Sequence, residues 1–261
     1  MENTNWHKQS TDKPLFPDLI WSKPETKHAA GKLLIVGGNA HGFAAPAEAY
    51  QLATKAGIGT IRVALPDSLQ KTVGTFLENA YFLPSTPSGS LAKRALAELL
   101  EHAQWANGIL ITGELGRNSE TAVLLESFLQ KTTHPLVVTR DAIDYFYSHP
   151  DTLFDRPDTT IVASLSQLQQ LAQKAKYPEP IQYQMGLVKL VTWLHEFTAS
   201  KSANIIVQHV DQLFVAVNGQ VSTTPHTDEI WRLKTAANAS VWQIQHPAKL
   251  FEALTTSLTN I

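Results

Sequence analysis

From Lys32 onward, short runs of consecutive apolar residues alternate with longer stretches in which apolar residues recur every three or four positions. The runs "LLIV" from Leu33, "TIRVAL" from Thr60, "GILIT" from Gly108, "PLVVT" from Pro135, "TTIVA" from Thr159, "NIIVQ" from Asn204 and "LFVAV" from Leu213 are short and rich in β-branched residues, which predicts strands. Several lack any polar alternation, as expected of parallel strands covered on both faces. Between the first two lies "APAEAYQLATKAG", with Ala45, Ala49, Leu52, Ala53 and Ala56 on one helical stripe and Gly57 where a helix would stop. That is a βαβ unit. Helices are also expected in "SGSLAKRALAELLEHA", "NSETAVLLESFLQK", "SLSQLQQLAQKA", "YQMGLVKLVTWLHEF" and from Asp228 to Gln243. In the last of these, Ile230, Leu233, Ala237 and Val241 would form the buried stripe, with Asn238 at its edge. The segment "NIIVQHVDQLFVAVNGQV" reads as antiparallel strands with Asn218-Gly219 as the tight turn.

The expected fold class is therefore α/β, with a mostly parallel sheet, late antiparallel strands and helices on both faces. Residues 1–30 carry Pro14, Pro17 and Pro24 among polar residues and predict an irregular arm draped over a single domain of residues 31–261.

Composition narrows the partners. With 43% hydrophobic and 17% charged residues and a formal net charge of −2, the chain has a globular balance and no basic footprint for nucleic acid or an acidic membrane surface. The polar start "MENTNWHKQS" and the lack of a long apolar run predict a cytoplasmic protein without a membrane partner. The absence of cysteine removes thiolate nucleophiles and thiolate zinc sites. Ten histidines are scattered with no HExxH spacing, so no metal site is expected, and Trp105, Trp193 and Trp242 are expected to pack in the core.

One stretch stands out for chemistry. In "GKLLIVGGNAHG", Gly37 and Gly38 end a strand where doubly wound sheets collect ligands, and Asn39 offers an amide that donates and accepts. The pattern matches neither the dinucleotide fingerprint nor the phosphate loop with its lysine, so a plain strand-to-helix bend and a ligand loop both remain open.

The order of motifs resembles the ADP/ATP-dependent NAD(P)H-hydrate dehydratase family of the ribokinase-like superfamily. The similarity begins with Lys27, Gly31, Gly37 and Gly38, with Asn39 in place of a serine, and continues through "KAGIGTI" from Lys55. "GILITGELGRNSET" is similar to the family's Gly-Pro-Gly-Leu-Gly turn, with Leu115 and Gly116 in register. "HPLVVTRDAIDYF" keeps Asp141 and Ala142 of Asp-Ala-Asp-Ala-Leu, with Thr139 for the first aspartate; Asp141 also reads as a helix cap. "IIVQHVDQLFVAVNGQV" keeps Asp211 and the Asn218-Gly219 turn. The resemblance implies a ribokinase-like three-layer αβα sandwich. It also implies a NADH- or NADPH-like dinucleotide facing Gly37, Gly38, Asn39, Gly116 and Asp141, an adenine nucleotide facing Gln208, Thr235, Ala236 and Ala237, and a homo-oligomer.

The chemistry departs from that family at one place above all. Its Gly-Ser-Gly-Asp motif supplies backbone donors for the transferred phosphoryl group and a base for the hydroxyl; counted from Asn218-Gly219, those positions fall on Thr235, Ala236, Ala237 and Asn238. An amide at the aspartate position forfeits a base worth a factor of roughly 10² to 10⁴. Gln208 and His209 replace Lys-Gly, and "VASLSQLQQL" replaces a segment ending in glutamate, with Gln167 nearest that position. An active lyase would use ADP or ATP with Mg²⁺. The departures favour instead a weakly active or inactive member that binds a nucleotide or dinucleotide. A non-catalytic structural or regulatory subunit without cofactor and a divergent small-molecule kinase are the alternatives.

Overall fold

The computed structural model describes residues 5–10, 12–74, 77 and 79–260. Along the chain the elements are β1 (Trp6–Lys8), α1 (Pro17–Trp21), β2 (Lys32–Gly37), α2 (Ala44–Ala56), β3 (Thr60–Pro66), α3 (Gln70–Val73), β4 (Ala80–Leu83), α4 (Leu96–Trp105), β5 (Gly108–Gly113) and α5 (Ser119–Lys131). They continue with β6 (Leu136–Thr139), α6 (Asp151–Phe154), β7 (Thr159–Ser164), α7 (Leu165–Lys174), α8 (Leu187–Ser200), β8 (Asn204–His209), β9 (Gln212–Val217), β10 (Gln220–Pro225), α9 (Arg232–Gln245) and α10 (Leu250–Ser257). All the strands join one sheet in the order β1-β10-β9-β8-β7-β6-β5-β2-β3-β4, in which β9 alone runs against its neighbours.

The continuous apolar runs are explained by two-sided burial. In β2, Leu34 and Val36 enter one core with residues of α4, α5, α7 and α8, while Leu33 and Ile35 enter a second core with α2, α9 and α10. Every strand of the parallel part repeats this division, giving three layers. Trp193 and Trp242 are buried as expected, whereas Trp105 is half-buried and carries the Arg62 guanidinium 4.2 Å above its face.

Several expectations need correction. Residues 1–30 are not wholly irregular: they contribute β1, parallel to β10, and α1. Residues 1–4 and 11 of that arm lie outside the described residues. A three-residue strand has no readable period; it is fixed by tertiary polar contacts, such as Trp6 Nε1 donating to Thr223 Oγ1 at 3.1 Å and Gln9 Nε2 donating to Thr224 Oγ1 at 2.9 Å. Asn218-Gly219, at φ 47 and 77, is the tight antiparallel turn expected, between β9 and β10, and a further turn, Val210-Asp211, lies between β8 and β9. Residues 88–92 are not helical but belong to a strap held over the first glycine loop by Ala40 N–H donating to the Gly89 carbonyl at 2.9 Å. Helix α8 starts at Leu187 rather than Tyr183. Helix α9 starts at Arg232, not Asp228, and Ile230, assigned to the buried stripe, is 81% exposed on the segment before it.

Candidate functional site

The carboxyl ends of β2, β5, β6 and β7 lie side by side, because these strands are parallel neighbours. Their loops and the first turns of α2 and α9 therefore converge at one edge of the sheet, where a parallel sheet gathers ligands. Two residues there hold backbone conformations that L side chains rarely adopt: Glu114 after β5, at φ 56, and Arg140 after β6, at φ 58. Each costs of order 1–3 kcal/mol and persists only if its surroundings enforce it.

The enforcing contacts are visible. The Glu114 N–H donates to Asp141 Oδ1 at 3.0 Å, and its carbonyl accepts from Asn39 Nδ2 at 2.6 Å. Its carboxylate accepts from the Ala45 N–H in the first turn of α2 at 2.9 Å and faces Arg140 Nη2 at 3.9 Å. Gln167 completes the frame from the start of α7: its Nε2 donates to the Arg140 carbonyl at 2.8 Å and to Asp144 Oδ1 at 2.9 Å. Its Oε1 accepts from Arg232 Nη1 at 3.0 Å and from the Ser164 N–H at 3.2 Å. One buried amide thus ties the ends of β6 and β7 to the first turn of α9.

Burial sets the electrostatics. It raises the Tyr147 phenol far above its usual range, helped by hydrogen bonding to and the charge of Asp144. Burial likewise raises the Tyr145 phenol. It lowers the Arg232 guanidinium, and the like charge of Arg140 lowers it further, against opposing pulls from Asp144 and Asp141.

Beside this frame lies a cleft of about 600 Å³ lined by Asn39, Glu114, Gly116, Asp141, Asp144 and Tyr145. A larger hollow of about 750 Å³ lies along the start of α8, lined by Pro178, Met185 and Val188, but it gathers none of the strand-end groups. The chemistry points to the smaller cleft.

The structure brings Asn39, Gly116 and Asp141 together on that cleft. Asp141 does not cap its own turn; the 3-10 segment Arg140–Phe146 has Thr139 at its start with no side-chain cap, and the Asp141 carboxylate serves Glu114 instead. Gly37 and Gly38 stand behind the wall. A Cβ on Gly37 would lie 2.8 Å from the Gly113 carbonyl oxygen, so glycine there lets β2 and β5 meet, and Gly38 has φ 83. Both glycines are thus accounted for by the bend itself, while Asn39 reaches the cleft. Gln208 lies apart: its Nε2 donates to the carbonyls of His226 and Asp228, both at 3.3 Å, fastening the segment that leads into α9.

Thr235, Ala236, Ala237 and Asn238 form the second turn of α9. The Thr235 N–H already donates to the Trp231 carbonyl at 2.9 Å, and the next three N–H groups fall within the same i→i−4 ladder. Asn238 is 7% exposed, enclosed where α9 packs between α2, α10 and strands β5, β6 and β7. Helix α9 begins one turn ahead of these positions, so its open donors belong to Arg232, Leu233 and Lys234.

Glu114, Arg140, Asp144, Tyr145, Tyr147 and Arg232 went unremarked in the sequence. One signal was present: Glu114 stands in register with a glycine of the Gly-Pro-Gly-Leu-Gly turn, and it retains a glycine-like backbone.

Sequence comparison finds the bifunctional NAD(P)H-hydrate repair enzyme Nnr of Salinibacter ruber 32% identical over 133 residues, which is 50% of this chain and 24% of that protein. The enzyme of the same description from Moorella thermoacetica is 33% identical over 116 residues, 44% of this chain and 22% of that protein. The matched part of the chain spans about a quarter of the length of these curated relatives. No family model matches. A ribokinase-like superfamily protein from Enterococcus faecalis V583 superposes with a TM-score of 0.73 at 15% identity, over 99% of this chain and 87% of its own. The ADP/ATP-dependent NAD(P)H-hydrate dehydratase of Bacillus subtilis, co-crystallised with ATP/Mg²⁺, gives a TM-score of 0.62 at 12% identity, over 94% of this chain and 86% of its own. The fold is ribokinase-like, and the likeness in sequence is to NAD(P)H-hydrate repair enzymes.

Proposed function

We propose that this chain is a NAD(P)H-hydrate dehydratase-like protein that binds a NADH- or NADPH-like dinucleotide in the cleft beside Asn39, Gly116 and Asp141 and has lost ADP/ATP-dependent phosphoryl transfer. The supporting observation is the path of α9. Where the resemblance requires free N–H donors and a carboxylate, the backbone of residues 235–238 is consumed by helix hydrogen bonds and Asn238 offers a buried amide. Transferring a phosphoryl group demands donors placed at the developing charge and a base at the hydroxyl. These residues fit neither requirement, so no step through ATP and Mg²⁺ is assigned to them. The cleft itself keeps polar side chains from three strand ends in fixed positions, as binding requires.

Thermal unfolding in the presence of ATP, ADP, AMP, NADH and NADPH tests the binding half, because a ligand that prefers the folded state raises its apparent stability. Stabilisation by NADH or NADPH is expected. A flat response to all five would favour a purely structural or regulatory subunit. The catalytic half predicts no ADP- or ATP-dependent dehydration of hydrated NADPH, and turnover abolished by Asn238→Ala would overturn it.

A further inference from the structure

Asp141 and Asp144 lie three residues apart on the 3-10 segment Arg140–Phe146. Side chains at that spacing eclipse one another on such a segment, so both carboxylates fall on one face, and both line the cleft. The Asp141 carboxylate is committed in part to the wall, through the Glu114 N–H. Asp144 is exposed, and its side chain receives Gln167 Nε2 at 2.9 Å and the Tyr147 phenol. A carboxylate offers about four acceptor positions, so lone pairs of Asp144 remain for the cleft.

The amide that holds Asp144 fits in one orientation only. Gln167 Nε2 meets two acceptors, the Arg140 carbonyl at 2.8 Å and Asp144 Oδ1 at 2.9 Å, while its Oε1 meets Arg232 Nη1 at 3.0 Å and the Ser164 N–H at 3.2 Å. A guanidinium and a backbone N–H only donate, whereas a carbonyl and a carboxylate only accept. A glutamate at this position would suit Arg232 and Ser164 but set a second negative charge within hydrogen-bond distance of Asp144. Glutamine at 167 and aspartate at 144 are therefore a matched pair. The support is rigid, because Gln167 is buried and also closes the capping box of α7 with Ser164.

We propose that Asp144 binds the ligand of the cleft directly, accepting from one of its O–H or N–H groups, and that Gln167 is the positioning residue that aims it. The inference rests on the cleft being a dinucleotide site; a dinucleotide carries such donors on its ribose hydroxyls and its nicotinamide. A carboxylate held by two donors has lost its freedom before the ligand arrives, so less is lost on binding. Its charge strengthens whatever hydrogen bond it accepts. The glutamine that stands in place of a glutamate at 167 thus serves the cleft.

The test is calorimetric titration of the full chain with NADH and NADPH, with a urea unfolding curve for each variant. Asp144→Asn keeps an oxygen for Gln167 Nε2 but turns an N–H₂ group toward the cleft, so affinity should fall about tenfold or more at an unchanged urea midpoint. Gln167→Glu should bind about tenfold more weakly than the wild type at about pH 8. Toward about pH 5 that gap should close, as the paired carboxylates take up a proton and the protonated acid donates to Asp144 in the amide's place. Asp141, Glu114 and the Arg140 carbonyl favour that uptake, whereas Arg232, Arg140 and the Tyr147 phenol oppose it. A side chain needed only for folding would move the urea midpoint with pH and leave the affinity of the folded protein alone. If Gln167→Glu does not fold, Asp144→Asn, at an exposed residue, decides. Undiminished binding by Asp144→Asn, or a Gln167→Glu gap that holds constant with pH, overturns the inference and leaves the dinucleotide reading standing. A wild type that binds neither dinucleotide overturns both.

Discussion

Placing glycine at Ala236 and Ala237 tests the path of α9 directly. Both alanines are 0% exposed and lie in the second turn of a fourteen-residue helix. Glycine in a helix interior is about 0.8–1.0 kcal/mol less favourable than alanine. Each substitution also removes a buried methyl group, worth about 0.8 kcal/mol. Ala236→Gly and Ala237→Gly should therefore cost about 2 kcal/mol each and about 3–4 kcal/mol together, allowing for coupling between adjacent positions. Against a total of about 5–15 kcal/mol, the double variant remains folded enough to measure. Urea unfolding followed by tryptophan fluorescence, with six tryptophans as reporters, should show a lower midpoint at unchanged slope. A neutral or stabilised double variant would refute the reasoning, because glycine is favoured there only if residues 235–238 form a loop ahead of the helix.

Other outcomes follow from the same contacts. Glu114→Ala and Glu114→Gly both lose the bond to the Ala45 N–H, but only glycine relaxes the backbone at φ 56. The glycine variant should thus be about 1–2 kcal/mol the more stable, and equal denaturation midpoints would argue against strain at this residue. A methyl group on Gly59 would collide with the backbone carbonyl of Lys27 and lie 2.7 Å from that of Gly31, so Gly59→Ala should lose about 3 kcal/mol or more, and wild-type stability would contradict the close approach. Burial is the main influence that lowers the His102, His134, His226 and His246 pKa values. Below about pH 6.5 the unfolded chain then binds more protons than the folded one, so stability should fall as pH drops through that point toward the lowered values. Urea midpoints between pH 7.5 and 5 check this, and a midpoint that rises on acidification would show the opposite sign.

The strands that were legible in the sequence share one property: each has a central run of apolar residues buried on both faces of the sheet. Strand β10, "QVSTTP", is buried at Ser222, Thr223 and Thr224 but satisfies those hydroxyls through partners distant in sequence, Thr255, Trp6 and Gln9, so its composition resembles a turn. Helix starts were displaced wherever tertiary contact outweighs periodicity, as in the strap at 88–92 and at the entry to α9. Asn39, Gly116 and Asp141 were found because a motif order placed them at strand ends. Arg140 and Arg232 were not, and Gln167 was read only as the residue nearest a replaced glutamate, since its contacts join β6, α7 and α9, three elements far apart in sequence. Nor does a sequence announce that a glutamate will adopt a glycine-like backbone.

Only residues 226–231 link the last strand to α9, and they are tethered on both sides, by His226 N–H to the Asp211 carbonyl at 2.9 Å and by Gln208 to two carbonyls. With so little slack, and with neighbours pressed against it from the sheet and from two helices, α9 is held in a fixed place behind the strand ends. The strap at 84–92 is pinned as well: the Gly89 carbonyl accepts from the Ala40 N–H and from Ser68 Oγ, the Leu91 carbonyl accepts from Thr121 Oγ1, and Ser90, Leu91 and Ala92 are buried. A guest must then fit an opening that is largely set in advance, and amide exchange should be slow through α9 and through the buried half of the strap alike.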